Sequence, residues 1–315
     1  MPSTISLSTY TIRIYSTDLG GYVNLDNPLD GHLDSCDFLN QYISELNRKI
    51  SHDHLQQKLL RVMQFNKNGR QISGIIETGD YGYESDLFNV QTSLLSYQRQ
   101  SHEAELLPFY FLIILPRDIN LGIVILQRFG QRGIKTILSI DLSNYFSAQL
   151  QNYRVEIDTL VPNMLLNDLL QRGEIKSVRF TRYRIPSDLA DQFDHSFEED
   201  QGIAEFIIKT KGYARIPLIN RVREYIFSNR PIEDFISFPE FDYNNVKIQF
   251  VIDGQTRTID LEDPRRIRAY YDVTDRVQIG LSGHPTFESI DIEARNLARD
   301  ILRGLGQEDY DVYQN

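Results

Sequence analysis

The chain has 315 residues, 41% hydrophobic and 24% charged, with a formal net charge of −11. That length predicts one large or two ordinary domains, and the apolar share allows a sizeable core. The negative balance repels phosphate backbones on average, which argues against sequence-blind coating of nucleic acid and leaves only a local basic face for that role.

With 18 Tyr, 17 Phe and no Trp, the aromatic content suits sheet surfaces. Cys36 is the single cysteine and cannot form an intrachain disulfide, which points to a reducing compartment. Met1 to Leu19 carries no basic region followed by an apolar run, so no signal peptide is expected. The most apolar stretch, Leu106 to Leu115, is interrupted by Pro108 and is far short of the roughly 20 residues a membrane span needs. The expected address is cytoplasmic, with no membrane partner.

In chain order, Thr9 to Tyr15 alternates like a strand, and a Gly- and Asp-rich loop follows over 20–34. Phe38, Leu39, Tyr42, Ile43, Leu46 and Ile50 fall at helical spacing, with Asp34, Ser35 or Asp37 as N-cap. Leu59–Phe65 and Gln71–Glu77 flank Asn66-Lys67-Asn68-Gly69, a hairpin signal. A second hairpin joins Phe109–Leu115 to Gly122–Phe129. Both of its strands are apolar on both faces, which predicts a central position covered on each side. Ile134 to Leu150 then reads as helix.

The second half predicts strands at Tyr153–Asp158, Ser177–Ile185, Ile203–Lys209, Val246–Ile252 and Thr256–Leu261, with helices at Pro162–Leu170 and Leu218–Phe227. That β-α-β-β-α-β order, with one added strand, is ferredoxin-like. Ile290, Ala294, Leu297, Ala298, Ile301, Leu302 and Leu305 form a stripe of period 3.6 along a long C-terminal helix, and the acidic tail from Gln307 is expected to fray. The predicted class is therefore α+β. Residues 1–150 form an antiparallel sheet domain with two helices, and residues 151–315 a ferredoxin-like domain with the C-terminal helix.

Three constellations carry potential chemistry. In Gly74-Ile75-Ile76-Glu77-Thr78-Gly79-Asp80-Tyr81-Gly82-Tyr83-Glu84, the acids Glu77, Asp80 and Glu84 are candidate metal ligands. The plainer reading is a strand ending in a turn whose glycines supply positive φ. The second constellation is basic and aromatic: Arg179, Arg182 and Arg184 in one strand, and Lys209, Lys211 and Arg215 after another. If those strands pair, their cations add on one sheet edge and can take phosphates, with aromatic side chains for bases. The alternative is a solvated face paired with the acids of 188–200.

The third constellation sets Asp260, Glu262, Asp263 and Asp272 around Arg265, Arg266 and Arg268. Such carboxylates hold Mg²⁺ in nucleases, or simply form a salt-bridged loop. His52 and His54 flank Asp53. On a helix their side chains would diverge by roughly 200°, so a shared metal requires an extended backbone. They supply two ligands where structural zinc takes four. No Gly-x-Ser-x-Gly, His-Glu-x-x-His or Gly-x-Gly-x-x-Gly motif occurs.

The segments 72–82 (ISGIIETGDYG), 103–111 (EAELLPFYF) and 122–130 (GIVILQRFG) resemble a family of uncharacterised bacterial proteins of about this length, associated with phage-defence loci and mobile elements. The resemblance covers residues 72–130 and implies a defence context without assigning catalytic residues or a cofactor. Two expectations follow. The first is a non-enzymatic component of an antiphage or mobile-element system that binds a partner protein or nucleic acid, DNA or RNA, through the six cations named above. The second is a metal-dependent nuclease or hydrolase using scattered acids among Glu77, Asp80, Glu84, Asp260 and Asp272, with Mg²⁺. No cofactor is evident under the first. Aromatic-rich strands could also pair across a homo-oligomer.

Overall fold

The computed structural model describes residues 4–29, 31, 33–160, 170, 173–184, 202–212, 214–227, 232, 235–236, 238, 242–252, 255–261, 271–305, 307 and 310. They form a mixed α+β protein of mostly antiparallel sheets, divided into two compact units. Met1–Asp158 and Tyr270–Asn315 make the first unit, and Thr159–Ala269 the second. This differs from the expected division into 1–150 and 151–315, because the last segment of the chain returns to the first unit.

The first unit is built on one large sheet. Its strands are β1 (Ile5–Ser16), β2 (Gly21–Tyr22), β3 (Ser51–Asp53), β4 (Lys58–Asn68), β5 (Gln71–Asp80), β8 (Leu107–Ile114), β9 (Gly122–Phe129), β10 (Arg132–Gly133) and β11 (Tyr153–Thr159). Two more, β6 (Ser85–Phe88) and β7 (Leu95–Arg99), form a separate hairpin. The main order is β11-β1-β9-β8-β5-β4-β3. β8 and β9 lie in its middle, as their two-faced apolar pattern predicts.

Helices α1 (Ser35–Arg48) and α2 (Lys135–Gln149) pack on one sheet face. Phe109, Phe111, Ile113, Val124 and Leu126 meet Leu39, Tyr42, Ile43, Leu138, Leu142 and Phe146 there in one core. Asp34 caps α1, accepting from the backbone N–H of Cys36 and Asp37 at 2.9 Å each. Burial works against the Asp34 carboxylate, but the Asp37 amide and the adjacent Arg70 guanidinium outweigh it and hold its pKa below the ordinary value.

The second unit carries a four-stranded sheet of β12 (Glu174–Arg182), β13 (Ala204–Lys209), β14 (Asn245–Ile252) and β15 (Gln255–Asp260), with helix α3 (Ile219–Phe227). Its order is β13-β12-β14-β15 and every neighbour is antiparallel. Val178, Phe180, Val246, Ile248, Phe250 and Ile259 form its core with Val222, Phe235 and Tyr243.

The ferredoxin-like order is corrected here. It requires the strand at Tyr153–Thr159 to open this second sheet. That strand instead extends the first sheet beside β1, where Val155 joins the first core. Propensity sets that a segment is a strand; which edge it joins is decided by the apolar surface left to cover. The helix expected at 162–170 lies outside the described residues, apart from the buried Leu170.

The chain then comes back. β16 (Tyr271–Asp272) pairs with β1, and helix α4 (Phe287–Gly304) crosses the sheet face opposite α1 and α2. The stripe Ile290, Ala294, Leu297, Ala298, Ile301 and Leu302 is buried, as its period predicts. A polar seam runs beneath α4. Tyr110 donates its hydroxyl to Asp291 at 2.6 Å, and Arg295 donates to Asp291 at 2.7 Å and to Gln71 at 2.6 Å. Of the tail, only Gln307 and Tyr310 are among the described residues; Tyr310 hydrogen-bonds Gln71, and burial pushes its phenol up to about 12.

Candidate functional site

The two basic strands do pair. Ser177 lies opposite Lys209, Arg179 opposite Ile207 and Thr181 opposite Glu205. Directly opposed side chains share a sheet face, so Arg179 and Lys209 stand on the same open face, joined by Lys247 across β14. There Arg179 meets Glu205 at 3.3 Å and Lys247 meets Asp260 at 3.6 Å.

The remaining cations do not converge with these two. Arg182 follows Thr181 and so projects to the other face, the core side. Arg184 lies beyond the end of β12. Lys211 and Arg215 lie in the loop after β13, at the opposite end, where Thr210 and Ile216 donate backbone N–H bonds to Lys176 and Ile175 at 3.0 Å each. The six candidates are spread over two faces and two ends. Residues 188–200, expected to balance them, lie outside the described residues.

The acidic candidates are likewise separated. Glu77 pairs across the strands with Arg61 and Asp80 with Lys58, each at 2.6 Å. Three positions apart on β5, these two acids face opposite sides, and Glu84 is exposed beyond the strand end. Two of the glycines there serve packing, since a Cβ at Gly74 would stand 2.3 Å from the Gln64 carbonyl oxygen and one at Gly79 1.9 Å from that of Glu105, whereas Gly82 has the positive φ of 96° that the turn reading expects. Asp272 closes its own turn, accepting from Thr274 N–H at 2.9 Å. Among the described residues no group of three His, Cys, Asp or Glu side chains is arranged to hold a metal ion. Glu262, Asp263, Arg265, Arg266 and Arg268 lie outside those residues.

Sequence reasoning missed the most conspicuous surface. The β6–β7 hairpin leaves the main sheet as an arm between Tyr81 and Ser101, with Leu87 opposite Tyr97 and Phe88 opposite Leu95. Its apolar side chains stand in solvent: Val90 is 95% exposed, Leu94 68% and Phe88 58%, with Tyr83, Leu87, Leu95 and Tyr97 about half exposed. Glu84, Asp86 and Arg99 are the only charged residues from Tyr81 to Ser101.

The arm is well defined at both ends. At the tip, the Asn89 side chain accepts from the N–H of Gln91 at 2.9 Å and of Thr92 at 3.1 Å, an Asx turn. At the base, Arg99 is 5% exposed and lies 4.2 Å over the Tyr83 ring. Its guanidinium donates to the carbonyls of Asp80 at 3.3 Å and Tyr83 at 3.2 Å. Glu103 accepts from the Gln100 N–H at 2.9 Å and from the Tyr97 hydroxyl. The available signal was alternation on both sides of Asn89–Ser93, masked by serines and glutamines between the apolar positions.

A second concave feature lies where α1 ends, beside α2 and β3. This cleft, about 770 Å³, is lined by Tyr42, Tyr145, Asp141, Ser51, His52 and His54 among others. Asp141 accepts from the Tyr42 hydroxyl at 2.8 Å and from the Ser51 hydroxyl, and Glu45 accepts from the Tyr145 hydroxyl at 3.0 Å. Burial pushes the Tyr42 phenol well above its usual range and the Tyr145 phenol up to about 12, so both remain protonated donors at neutral pH. Comparison of the chain with protein-family models and with curated proteins gives no match. No helix among the described residues is long and apolar enough to cross a membrane.

Proposed function

We propose that the protein is a non-enzymatic assembly component that associates with a second copy of itself through the Tyr81–Ser101 arm. The observation that carries this reading is seven large apolar side chains held in solvent on an anchored hairpin. Half-exposed side chains of this size amount to roughly 600 Å² of apolar surface. That is the upper end of what a monomer usually leaves open. With the peptide edges and intervening polar side chains it approaches the ~800 Å² per partner of a stable interface.

A second copy is the occupant favoured by charge and symmetry. Two molecules of net charge −11 repel each other over most of their surface, and the arm carries few charges. The outer edges of β6 and β7 have no strand neighbour among the described residues. An unpaired edge related to itself by a twofold axis pairs antiparallel with its own copy, so one sequence supplies both halves of the interface.

This reading retains the non-enzymatic binding component of the sequence analysis and favours protein over nucleic acid, because the six cations are dispersed. The resemblance of residues 72–130 to defence-associated proteins would make the assembly part of an antiphage or mobile-element system.

Sedimentation velocity of the full chain over a range of micromolar concentrations tests the reading. The wild type is expected to sediment at about twice 36.7 kDa. Leu87→Ser combined with Leu95→Ser is expected to weaken association about 100-fold, at roughly 1.4 kcal/mol per lost apolar contact. Both residues are exposed, so at concentrations below the wild type's dissociation constant the variant's urea midpoint should match the wild type. A wild-type monomer at every concentration overturns the proposal.

A further inference from the structure

The histidine pair meets the condition that the sequence analysis set for it. His52 sits in the middle of strand β3, paired opposite Leu59, rather than on a helix. The His52 and His54 rings lie side by side, their centroids 6.0 Å and their planes 30° apart. Both line the cleft at the end of α1, and both are exposed at its rim.

One tautomer of His54 suits a metal ligand. The Tyr81 hydroxyl has one hydrogen and contacts two groups: the Asp53 carbonyl oxygen at 3.4 Å and His54 Nδ1 at 3.2 Å. The hydroxyl hydrogen can go to Asp53, whose carbonyl oxygen can only accept. Nδ1 of His54 is then the N–H that donates to the Tyr81 oxygen, one of the two tautomers this contact accommodates. In the neutral ring this leaves the Nε2 lone pair for a ligand. A metal-ligating histidine is oriented in the same way, by a hydrogen bond from its other nitrogen.

We propose that His52 and His54 form a two-nitrogen chelate for a late first-row divalent cation of the Zn²⁺ class at the rim of this cleft. Imidazole nitrogens favour Zn²⁺, Ni²⁺ and Cu²⁺ over Mg²⁺ and Ca²⁺, which prefer oxygen donors. Zn–N bonds of about 2.0–2.1 Å in a tetrahedron set the two Nε2 atoms about 3.3 Å apart. Reaching that separation from rings whose centroids lie 6.0 Å apart requires side-chain rotation of the exposed His52. Two protein ligands leave the other coordination positions to water, or to an anionic group entering the cleft. The bound ion is therefore exchangeable rather than structural.

Zn²⁺ titration of the untagged full chain in competition with a chromophoric zinc indicator tests this. One ion per chain is expected. His52→Ala and His54→Ala are each expected to weaken it by about tenfold or more, and Tyr81→Phe by about tenfold through loss of ring orientation. Mg²⁺ should not compete. Both histidines are exposed, so thermal melting of the metal-free variants should match the wild type. Equal Zn²⁺ affinity in wild type and either histidine variant overturns the chelate, and an unchanged Tyr81→Phe variant overturns the assigned proton positions.

Discussion

Replacing Asp291 with alanine is expected to destabilise the first unit by about 3–5 kcal/mol, the cost of stripping one partner from a buried ion pair. The Asp291 and Arg295 side chains are only 18% and 13% exposed, and Asp291 satisfies two groups at once. One is the Arg295 guanidinium; the other is the hydroxyl of Tyr110, which is fully buried. Without the carboxylate, the Arg295 charge keeps only the neutral partners Gln71 and Ser73, and the buried Tyr110 hydroxyl loses its charged acceptor. Asp291→Asn should recover part of the loss, because its amide oxygen still accepts a hydrogen bond. Urea unfolding measures both, and a loss under about 1 kcal/mol for the alanine variant would mean that the seam contributes little.

Replacing Arg99 with alanine acts on the arm instead. The guanidinium contributes a cation–π contact with Tyr83 and two charge-assisted bonds to the carbonyls of Asp80 and Tyr83. Together these are worth about 3 kcal/mol locally. A two-stranded hairpin without sheet neighbours is marginal in water, so a loss of that size lets the arm open from its base. Limited proteolysis should cut residues 84–98 faster, and dimerisation should weaken, while the urea transition measured below the dissociation constant stays in place. An arm that resists protease equally in both proteins would show that Arg99 does not anchor it.

The sequence displayed local order better than long-range placement. β8 and β9 were legible as central strands because Phe109–Leu115 and Ile123–Leu126 are apolar at every position. The α4 stripe was legible because its period is unmistakable, but nothing in Ile290–Leu302 says which sheet it covers. That choice depends on Tyr110, Leu112 and Ile114 being left bare on the face away from α1. The strand at Tyr153–Thr159 was found and its sheet was not, because strand edges are interchangeable in sequence and are distinguished only by the finished core.

The candidate sites divide along the same line. Pairing of the two basic strands was a condition that the sequence left open, and β12 and β13 meet it. The projection of Arg182 away from Arg179 was also legible, because an odd spacing on one strand puts two side chains on opposite faces. The glycines at 74 and 79 looked like loop residues and are close-packing residues. The arm was invisible for the opposite reason: sequence reading assigns exposed apolar residues to a core by default, and no core surrounds them here.

Hydrogen exchange of the arm at two protein concentrations tests the self-association most directly. Above the dissociation constant, the amides of Ser85–Phe88 and Leu95–Arg99 that do not bond within the hairpin should exchange more slowly than below it, while those of α4 stay the same. Equally fast exchange of these amides at both concentrations, in a sample that sediments as a dimer, would contradict the account and move the interface elsewhere.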